Sequence, residues 1–155
     1  MTSVQEQVEQ FLFHEVALLD HRDWDTWLEL YADDATYSIP QGDPDHARKV
    51  SIVFDDKRRL VERVIRLKSG FAYSQEPSSI TVHLVGNVMV VKADEASIQV
   101  ASSLMVTEVR RGRQTVYAAL VSHTLRPSGD SFLIAGKEIR LANSEVPLGN
   151  LTFIV

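Results

Sequence analysis

Four long β-rich runs in the second half of the sequence constrain the fold more than any other feature. They begin at Ile80 and read ITVHLVGNVMVVK, SIQVASSLMVTEVR, QTVYAALVSHTLR and SFLIAGKEIRLA. The segments between them, ADEA, RGR and PSGD, are short enough for hairpins and contain turn-forming residues. Such strands predict a curved antiparallel sheet built mainly from residues 80 to 142. Gly86 and Asn87 interrupt the first run and predict a β-bulge, which would let the sheet curl.

The first half of the chain has helical rather than strand periodicity. We expect a second helix from Asp23 to Tyr31 and a third from Asp56 to Ser69, each with apolar residues on one side. Helices gathered before a sheet predict an α+β fold with the N-terminal helices packed on one sheet face. We expect residues 1–155 to form a single domain, because there is neither a linker nor an internal repeat. A first amphipathic helix, from about Val4 to Leu19, is predicted by the three- and four-residue spacing of Val4, Val8, Phe11, Leu12, Val16 and Leu19.

The stretch DHRDWDTWLELYADDATYSIP, from Asp20 to Pro40, is rich in acidic and aromatic residues. Asp23 is a good helix N-cap, and Asp33 with Asp34 is predicted to end the second helix. ATYSI alternates as a short strand that Pro40 would close. We interpret this stretch as a structural elbow between helices and sheet, with Asp25 suited to a helix N-terminus and with core positions at Trp24, Trp27, Leu28 and Tyr31.

Composition excludes several classes of protein. With 45% apolar and 24% charged residues the chain is typical of a globular protein, and no run is long enough to cross a membrane. The absence of cysteine rules out disulfides and thiolate metal sites. A net charge of -5 argues against nucleic acid as a partner. The N-terminus has no secretion leader, so we expect a cytoplasmic location.

The sequence has no standard nucleotide, zinc-protease or hydrolase signature, and the histidines have no ligand spacing that would predict a metal site. What remains is a set of residues that a curled sheet could bring together: Asp20, Tyr37, His83 and His123. A His–Asp pair could serve as a general base and a tyrosine as a hydrogen-bond donor. The competing interpretation is structural, with both histidines packed in the core, Asp20 in a turn and Tyr37 filling the core.

The residues from about Val8 to Val155 resemble the small, or beta, subunits of Rieske-type aromatic-ring-hydroxylating oxygenases. The segments that carry the resemblance are FLFHEVALLDHRDWDTWLELYADDATYSIP, VSIVFDDKRRLVERVIRLKSGFAYSQEPSS, HLVGNV and LGNLTFIV. The first segment is shared with the wider cone-shaped, nuclear-transport-factor-2-like superfamily, which includes scytalone dehydratases and ketosteroid isomerases. The resemblance therefore implies a cone-shaped fold with helices packed on a curved sheet.

The resemblance also implies a division of labour. In that family a large alpha subunit holds a Rieske [2Fe–2S] cluster and a mononuclear Fe(II), and the small subunit is mainly structural. It implies no cofactor, metal or catalytic residue in this chain, and it implies a hexamer of three large and three small subunits. A chain without cysteine cannot hold a Rieske cluster, which needs two cysteines and two histidines.

Two alternatives keep the fold and change the function. One is a stand-alone dehydratase or isomerase with His83 and Asp20 as base and Tyr37 as donor. The other is a binding module for a small molecule or a protein. Two features favour assembly with a partner: three predicted helices are few for a sheet of this size, and the chain ends in the apolar segment LTFIV.

Overall fold

The computed structural model describes residues 2–41, 50–69 and 79–142. It contains the helices and strands α1 (Val4–Asp20), α2 (Trp24–Glu29), β1 (Tyr31–Gln41), β2 (Val50–Asp56), α3 (Lys57–Ser69), β3 (Ile80–Ala93), β4 (Ile98–Arg110), β5 (Arg113–Ser128) and β6 (Ser131–Leu141). The C-terminal segment LTFIV lies outside these ranges, so its role in assembly stays a prediction. No helix in the described ranges is long and apolar enough to span a membrane.

The described strands form one curved, mostly antiparallel sheet in the order β2-β1-β6-β5-β4-β3. The predicted α+β class, with helices packed on that sheet, is confirmed. The pairs formed by β3, β4, β5 and β6 are hairpins, as predicted, and no helix interrupts residues 97–126. The predicted bulge at Gly86 and Asn87 is confirmed by a register shift between Gly86 and Met89, and Asn87 has a φ of 51°.

One pair of strands departs from the antiparallel prediction. Strand β1 pairs with β6 in parallel and with β2 antiparallel, so β1 joins the N-terminal half of the chain to the last hairpin. Strand β2, VSIVFDD, was not predicted, although its Val, Ile and Phe residues are typical of strands. It pairs with β1 along its length.

The predicted end of the second helix was wrong. The helix ends at Glu29, and Tyr31 begins β1, which contains Asp33 and Asp34. The helix ends here because strand β6 takes up the backbone: the Leu30 carbonyl accepts a hydrogen bond from the backbone N–H of Ile134 in β6 at 2.7 Å. The acidic pair therefore does not stop a helix, and it falls where the register between β1 and β6 shifts.

Two smaller boundary predictions were also wrong. Pro40 does not close its strand, which continues to Gln41, and it lies at a register shift in the pairing with β2. A strand tolerates proline at such an irregularity, because no ladder hydrogen bond is required there. The third helix begins at Lys57, and the Asp56 carboxylate accepts a hydrogen bond from the backbone of Arg59 at 2.9 Å. Asp56 is thus the cap of α3 rather than its first residue.

Helix α1 begins with a capping box between Ser3 and Glu6 and packs mainly on β3, with further contact to β6. Its buried stripe meets the inward-facing residues of β4, β5 and β6 in one core. Trp27 and Tyr31 are buried in that core as predicted, whereas Trp24 and Leu28 pack against its edge. The helix end and the inner sheet face together position the candidate residues.

Candidate functional site in the cone interior

Asp20 and His83 form a close pair at the point where α1 ends against β3. The Nδ1 atom of His83 lies 2.5 Å from Oδ1 of Asp20, and the backbone N–H of His83 donates to Oδ2 at 2.9 Å. The hydroxyl of Thr81 also donates to Oδ1, at 3.2 Å. Asp20 therefore binds two residues of one strand through both carboxylate oxygens, and the His83 side chain is fully buried beneath it.

A second cluster surrounds the buried carboxylate of Glu15. Its Oε2 atom accepts hydrogen bonds from Lys137 Nζ at 2.8 Å and from the indole of Trp27 and the phenol of Tyr31, each at 3.2 Å. Its Oε1 atom lies 2.9 Å from Nε2 of His123. Side chains from α1, α2, β1, β5 and β6 thus meet at a single carboxylate, and both members of the Glu15–Lys137 ion pair are almost completely buried.

Tyr37 belongs to the second cluster rather than to the first. Its ring meets that of Trp27 edge-on, with 6.4 Å between the ring centroids, and Lys137 Nζ lies 5.9 Å from the Tyr37 ring centroid. The geometry fits a cation–π contact between Lys137 and Tyr37. Tyr37 is 2% exposed, so it is a core residue.

Burial and ion pairing set the protonation of these groups. Burial alone would raise the pKa of Glu15, but the Lys137 ammonium and the hydrogen bond with His123 outweigh it and hold that pKa well below its usual range. Burial lowers the pKa of His83 although Asp20 opposes the shift, and burial lowers the pKa of His123 although Glu15 opposes it. The expected state is an ionised Glu15 beside neutral histidines.

A neutral histidine in each pair donates its one N–H to the carboxylate. The other ring nitrogens, His83 Nε2 and His123 Nδ1, are buried and lack a hydrogen-bond partner within the described residues. A general base must bring its free nitrogen within hydrogen-bond reach of a substrate. Here both nitrogens are enclosed, so within the described residues the two pairs tie α1 to the sheet and present no exposed base.

The structure brings together only part of the set predicted from the sequence. Asp20 and His83 are in direct contact, whereas His123 is bound to Glu15 and Tyr37 packs on Trp27 and Lys137. The described part of the chain contains no group of three or more His, Asp or Glu side chains that could hold a metal ion.

Sequence reasoning missed Glu15 and Lys137, although each had a local signal. Glu15 lies in the apolar stripe of α1, between Leu12 and Val16, where a charged residue is unexpected. Lys137 occupies an inward position of β6 in alternation with Ile139. A charge at an inward position predicts a buried partner, but the pattern does not say which one.

Comparison with known proteins identifies the family. The family model for the ring-hydroxylating beta subunit matches residues 14–147. The chain belongs to this family. It is therefore a small subunit of a ring-hydroxylating oxygenase, part of an oxidoreductase complex, and not the catalytic subunit.

Individual relatives agree with this assignment. This beta subunit is 32% identical over 146 residues to the anthranilate 1,2-dioxygenase small subunit of Acinetobacter baylyi, with 90% of each chain covered. It is 37% identical over 124 residues to the small oxygenase component of the p-cumate 2,3-dioxygenase system of Pseudomonas putida. That alignment covers 77% of this chain and 69% of the other protein.

Solved structures support the fold. The beta subunit of benzoate 1,2-dioxygenase from Burkholderia mallei superposes with a TM-score of 0.82 at 26% identity, and 99% of each chain is covered. A nuclear-transport-factor-2-like protein with a cystatin-like fold from Novosphingobium aromaticivorans superposes with a TM-score of 0.62 at 12% identity, with 94% of this chain and 88% of that chain covered. The second similarity concerns the fold alone, and it agrees with the predicted cone-shaped fold.

Proposed function

We propose that this chain is the structural, non-catalytic beta subunit of a dioxygenase that hydroxylates aromatic rings in the breakdown of aromatic compounds. The observation that carries the proposal is the family match over residues 14–147. The interior agrees with it, because the polar side chains there are bound to one another rather than directed at an open site. We propose that none of Asp20, Tyr37, His83 and His123 is catalytic.

The cofactors of such an enzyme belong to its large alpha subunit. A Rieske [2Fe–2S] cluster needs cysteine ligands, and this chain has none, so its residues do not fit that group. We assign both the cluster and the mononuclear Fe(II) to the alpha subunit, with three large and three small subunits in the complex. The whole chain would enter that complex as one domain, and we expect the complex in the cytoplasm.

Co-expression with the large subunit tests this assignment. We expect the two chains to co-purify, with a mass that fits equal numbers of each, and ring hydroxylation that requires the large subunit. A large subunit that assembles and turns over at full rate without this chain would contradict the proposal. Purification of the large subunit from cells that lack this chain supplies the control.

The dehydratase or isomerase alternative is not favoured, but the Asp20–His83 pair gives it a specific test. We expect His83→Ala to reduce folding or assembly, because the side chain fills a fully buried site against Asp20. His83→Asn is the matched variant, since its amide nitrogen stands where Nδ1 does and can still donate toward Asp20, while it lacks a titratable ring. A His83→Asn chain that assembles normally and yet abolishes dehydratase or isomerase turnover would support a catalytic histidine.

A further inference from the structure

His123 has one ring nitrogen in a hydrogen bond and one without a protein partner. Its Nε2 atom lies 2.9 Å from Oε1 of Glu15, and its Nδ1 atom is buried with no hydrogen-bond partner within the described residues. The side chain is only 4% exposed, so it is shielded from bulk solvent. Buried polar atoms in proteins almost always have a partner, because an unpaired one has lost the hydrogen bond that water gives it in the unfolded chain. The Nδ1 atom therefore needs a ligand.

The hydrogen bond to Glu15 decides what kind of ligand Nδ1 can take. An ionised carboxylate only accepts hydrogen bonds, so the ring hydrogen of His123 is on Nε2 and Nδ1 has a lone pair. The ion pair with Lys137 keeps Glu15 ionised, and burial lowers the pKa of His123, which keeps the ring neutral. Nδ1 is thus a hydrogen-bond acceptor, and its ligand must be a donor.

A charged donor is unfavourable at this position. The Lys137 ammonium already acts on the ring and helps to lower the pKa of His123, so a second cation beside Nδ1 would add like-charge repulsion. The part of the chain that the structure describes also offers no group of three or more His, Asp or Glu side chains that could hold a metal ion there. The ligand is therefore a small neutral donor. Water is the one that protein interiors ordinarily hold, on the order of one molecule per 27 residues.

The position of Nδ1 in the ring places this ligand close to the sheet. Nδ1 is the ring nitrogen nearer to Cβ, so it stays beside the inner face of β5, whereas Nε2 reaches Glu15 on α1. The register of the sheet gives the neighbours on that face. Lys137 lies opposite on β6, and its Nζ atom binds Glu15. The other inner-face neighbours on the two adjacent strands are Ile98, Val100, Ser102 and Ile139.

The Ser102 hydroxyl can supply the second contact that a buried water needs. Ser102 is 6% exposed and lies diagonally across from His123, since Ser102 pairs with Val121 and His123 with Val100. The Cβ atoms of such diagonal neighbours are about 7 Å apart. The two side chains form no direct hydrogen bond. One water with two hydrogen bonds of about 2.8 Å fits the gap between them.

We propose that an internal water molecule donates a hydrogen bond to Nδ1 of His123 and bonds to the hydroxyl of Ser102, so that it bridges β5 and β4 beside the Glu15 cluster. By occupying the lone pair of Nδ1, the water keeps the ring hydrogen on Nε2, where it is donated to Glu15. The water is a structural ligand that stabilises the contact between β5 and α1. This inference concerns the interior of the chain and does not depend on the proposed function.

A high-resolution crystal structure of the full-length chain tests the position directly. We expect one water within about 3.0 Å of both His123 Nδ1 and Ser102 Oγ. In Ser102→Val the added methyl group takes the place of the water, so we expect that peak to be lost while His123 stays bound to Glu15.

A measurement in solution makes the test independent of crystals. Magnetic relaxation dispersion of the oxygen-17 of water counts the water molecules that stay in a protein longer than the protein takes to tumble. We expect Ser102→Val to hold one such water fewer than the wild-type chain. Ser131→Val is the matched control, because it makes the same substitution at an exposed position at the start of β6 and should keep the wild-type number.

The nitrogen-15 spectrum of the wild-type chain labelled at histidine gives a third readout, which does not require the Ser102 variant to fold. We expect His123 to be neutral with its hydrogen on Nε2 and with Nδ1 shifted as a hydrogen-bonded acceptor.

Three results would overturn the inference: a direct hydrogen bond between Ser102 and His123, an equal number of long-lived waters in Ser102→Val and wild type, or a ring hydrogen on Nδ1.

Discussion

At the scale of single residues, the buried Glu15–Lys137 pair has the largest expected effect on stability. Both side chains are almost fully buried, and Glu15 also accepts hydrogen bonds from Trp27 and Tyr31. Removal of one partner leaves an uncompensated charge in the core, which costs about 3–5 kcal/mol. We therefore expect Lys137→Met to lower the free energy of unfolding by about that amount in urea denaturation.

The double variant Glu15→Leu/Lys137→Met supplies the control for this prediction. It removes both charges but leaves the buried donors of Trp27, Tyr31 and His123 without their acceptor, so we expect it to recover only part of the loss. The exposed pair Arg58–Glu62 is a surface reference, and Glu62→Ala should cost less than about 1 kcal/mol. A single Lys137→Met variant as stable as wild type would show that the ion pair does not stabilise the core.

The two buried histidines predict how stability depends on pH. Burial lowers the pKa of His83 and of His123 in the folded chain, so below about pH 6.5, the ordinary value, the unfolded chain binds protons that the folded chain does not. Stability is therefore fully present above pH 6.5 and is lost as the pH falls. Each group contributes a slope of at most about 1.4 kcal/mol per pH unit.

The lowered pKa of Glu15 makes stability depend on pH in the same direction, but at lower pH. The stability that Glu15 contributes is present above its ordinary pKa of 4.5 and is lost as the pH falls below that value. We expect the urea concentration at the unfolding midpoint to decrease when the pH is lowered from 7.5 to 5.5. The decrease should be smaller in His123→Gln. A midpoint that rises over this interval would mean that the buried histidines gain protons on folding.

At the scale of secondary structure elements, side chains of α1 hold the edge of β3 at two separate points. Gln5 binds the backbone near Val90, and Asp20 binds the backbone and ring of His83. Both residues lie on α1, one near each end, so the helix is fixed along the strand. The Asp20–His83 pair, which the sequence suggested as a catalytic base, is one of these two contacts between α1 and β3.

The contact between Gln5 and the edge of β3 predicts a local effect on the backbone of that strand. Gln5→Ala removes the acceptor of the Val90 N–H, and we expect that amide to exchange its hydrogen roughly tenfold faster, which corresponds to a loss of about 1.4 kcal/mol of local protection. Gln7→Ala is the matched control, because Gln7 donates to the carbonyl of Thr2 in an exposed position. Unchanged exchange at Val90 in Gln5→Ala would show that water replaces the side chain at no cost.

At the scale of the whole molecule, the metal-ligating residues available in the chain predict whether it binds iron without a partner. The chain has no cysteine, and its described residues have no metal-holding group of His, Asp or Glu. We expect the protein purified alone to be colourless, without stoichiometric iron and without ring-hydroxylating activity. Elemental analysis that finds about one iron per chain would contradict this prediction, and the co-purified complex with the large subunit is the positive control.

Features that depend on near neighbours along the chain could be predicted from the sequence. The stripe of α1, the N-cap at Asp23, the hairpins of β3 to β6 and the bulge at Gly86 were all predicted, because periodicity, caps and turn residues act over a few residues. Asp20 and His83 could be proposed as partners because the end of α1 and the strand β3 were each recognisable in the sequence.

The tertiary structure was needed to show which distant residues share the interior. Glu15 meets Lys137 across 122 positions of sequence and His123 across 108, and the parallel pairing of β1 with β6 brings Tyr31 to the same place. It also ended α2 at Glu29, since β6 binds the next carbonyl. The physical reason is that a buried charge needs some opposite charge, and the packing of the sheet, not the local pattern, selects the one within reach.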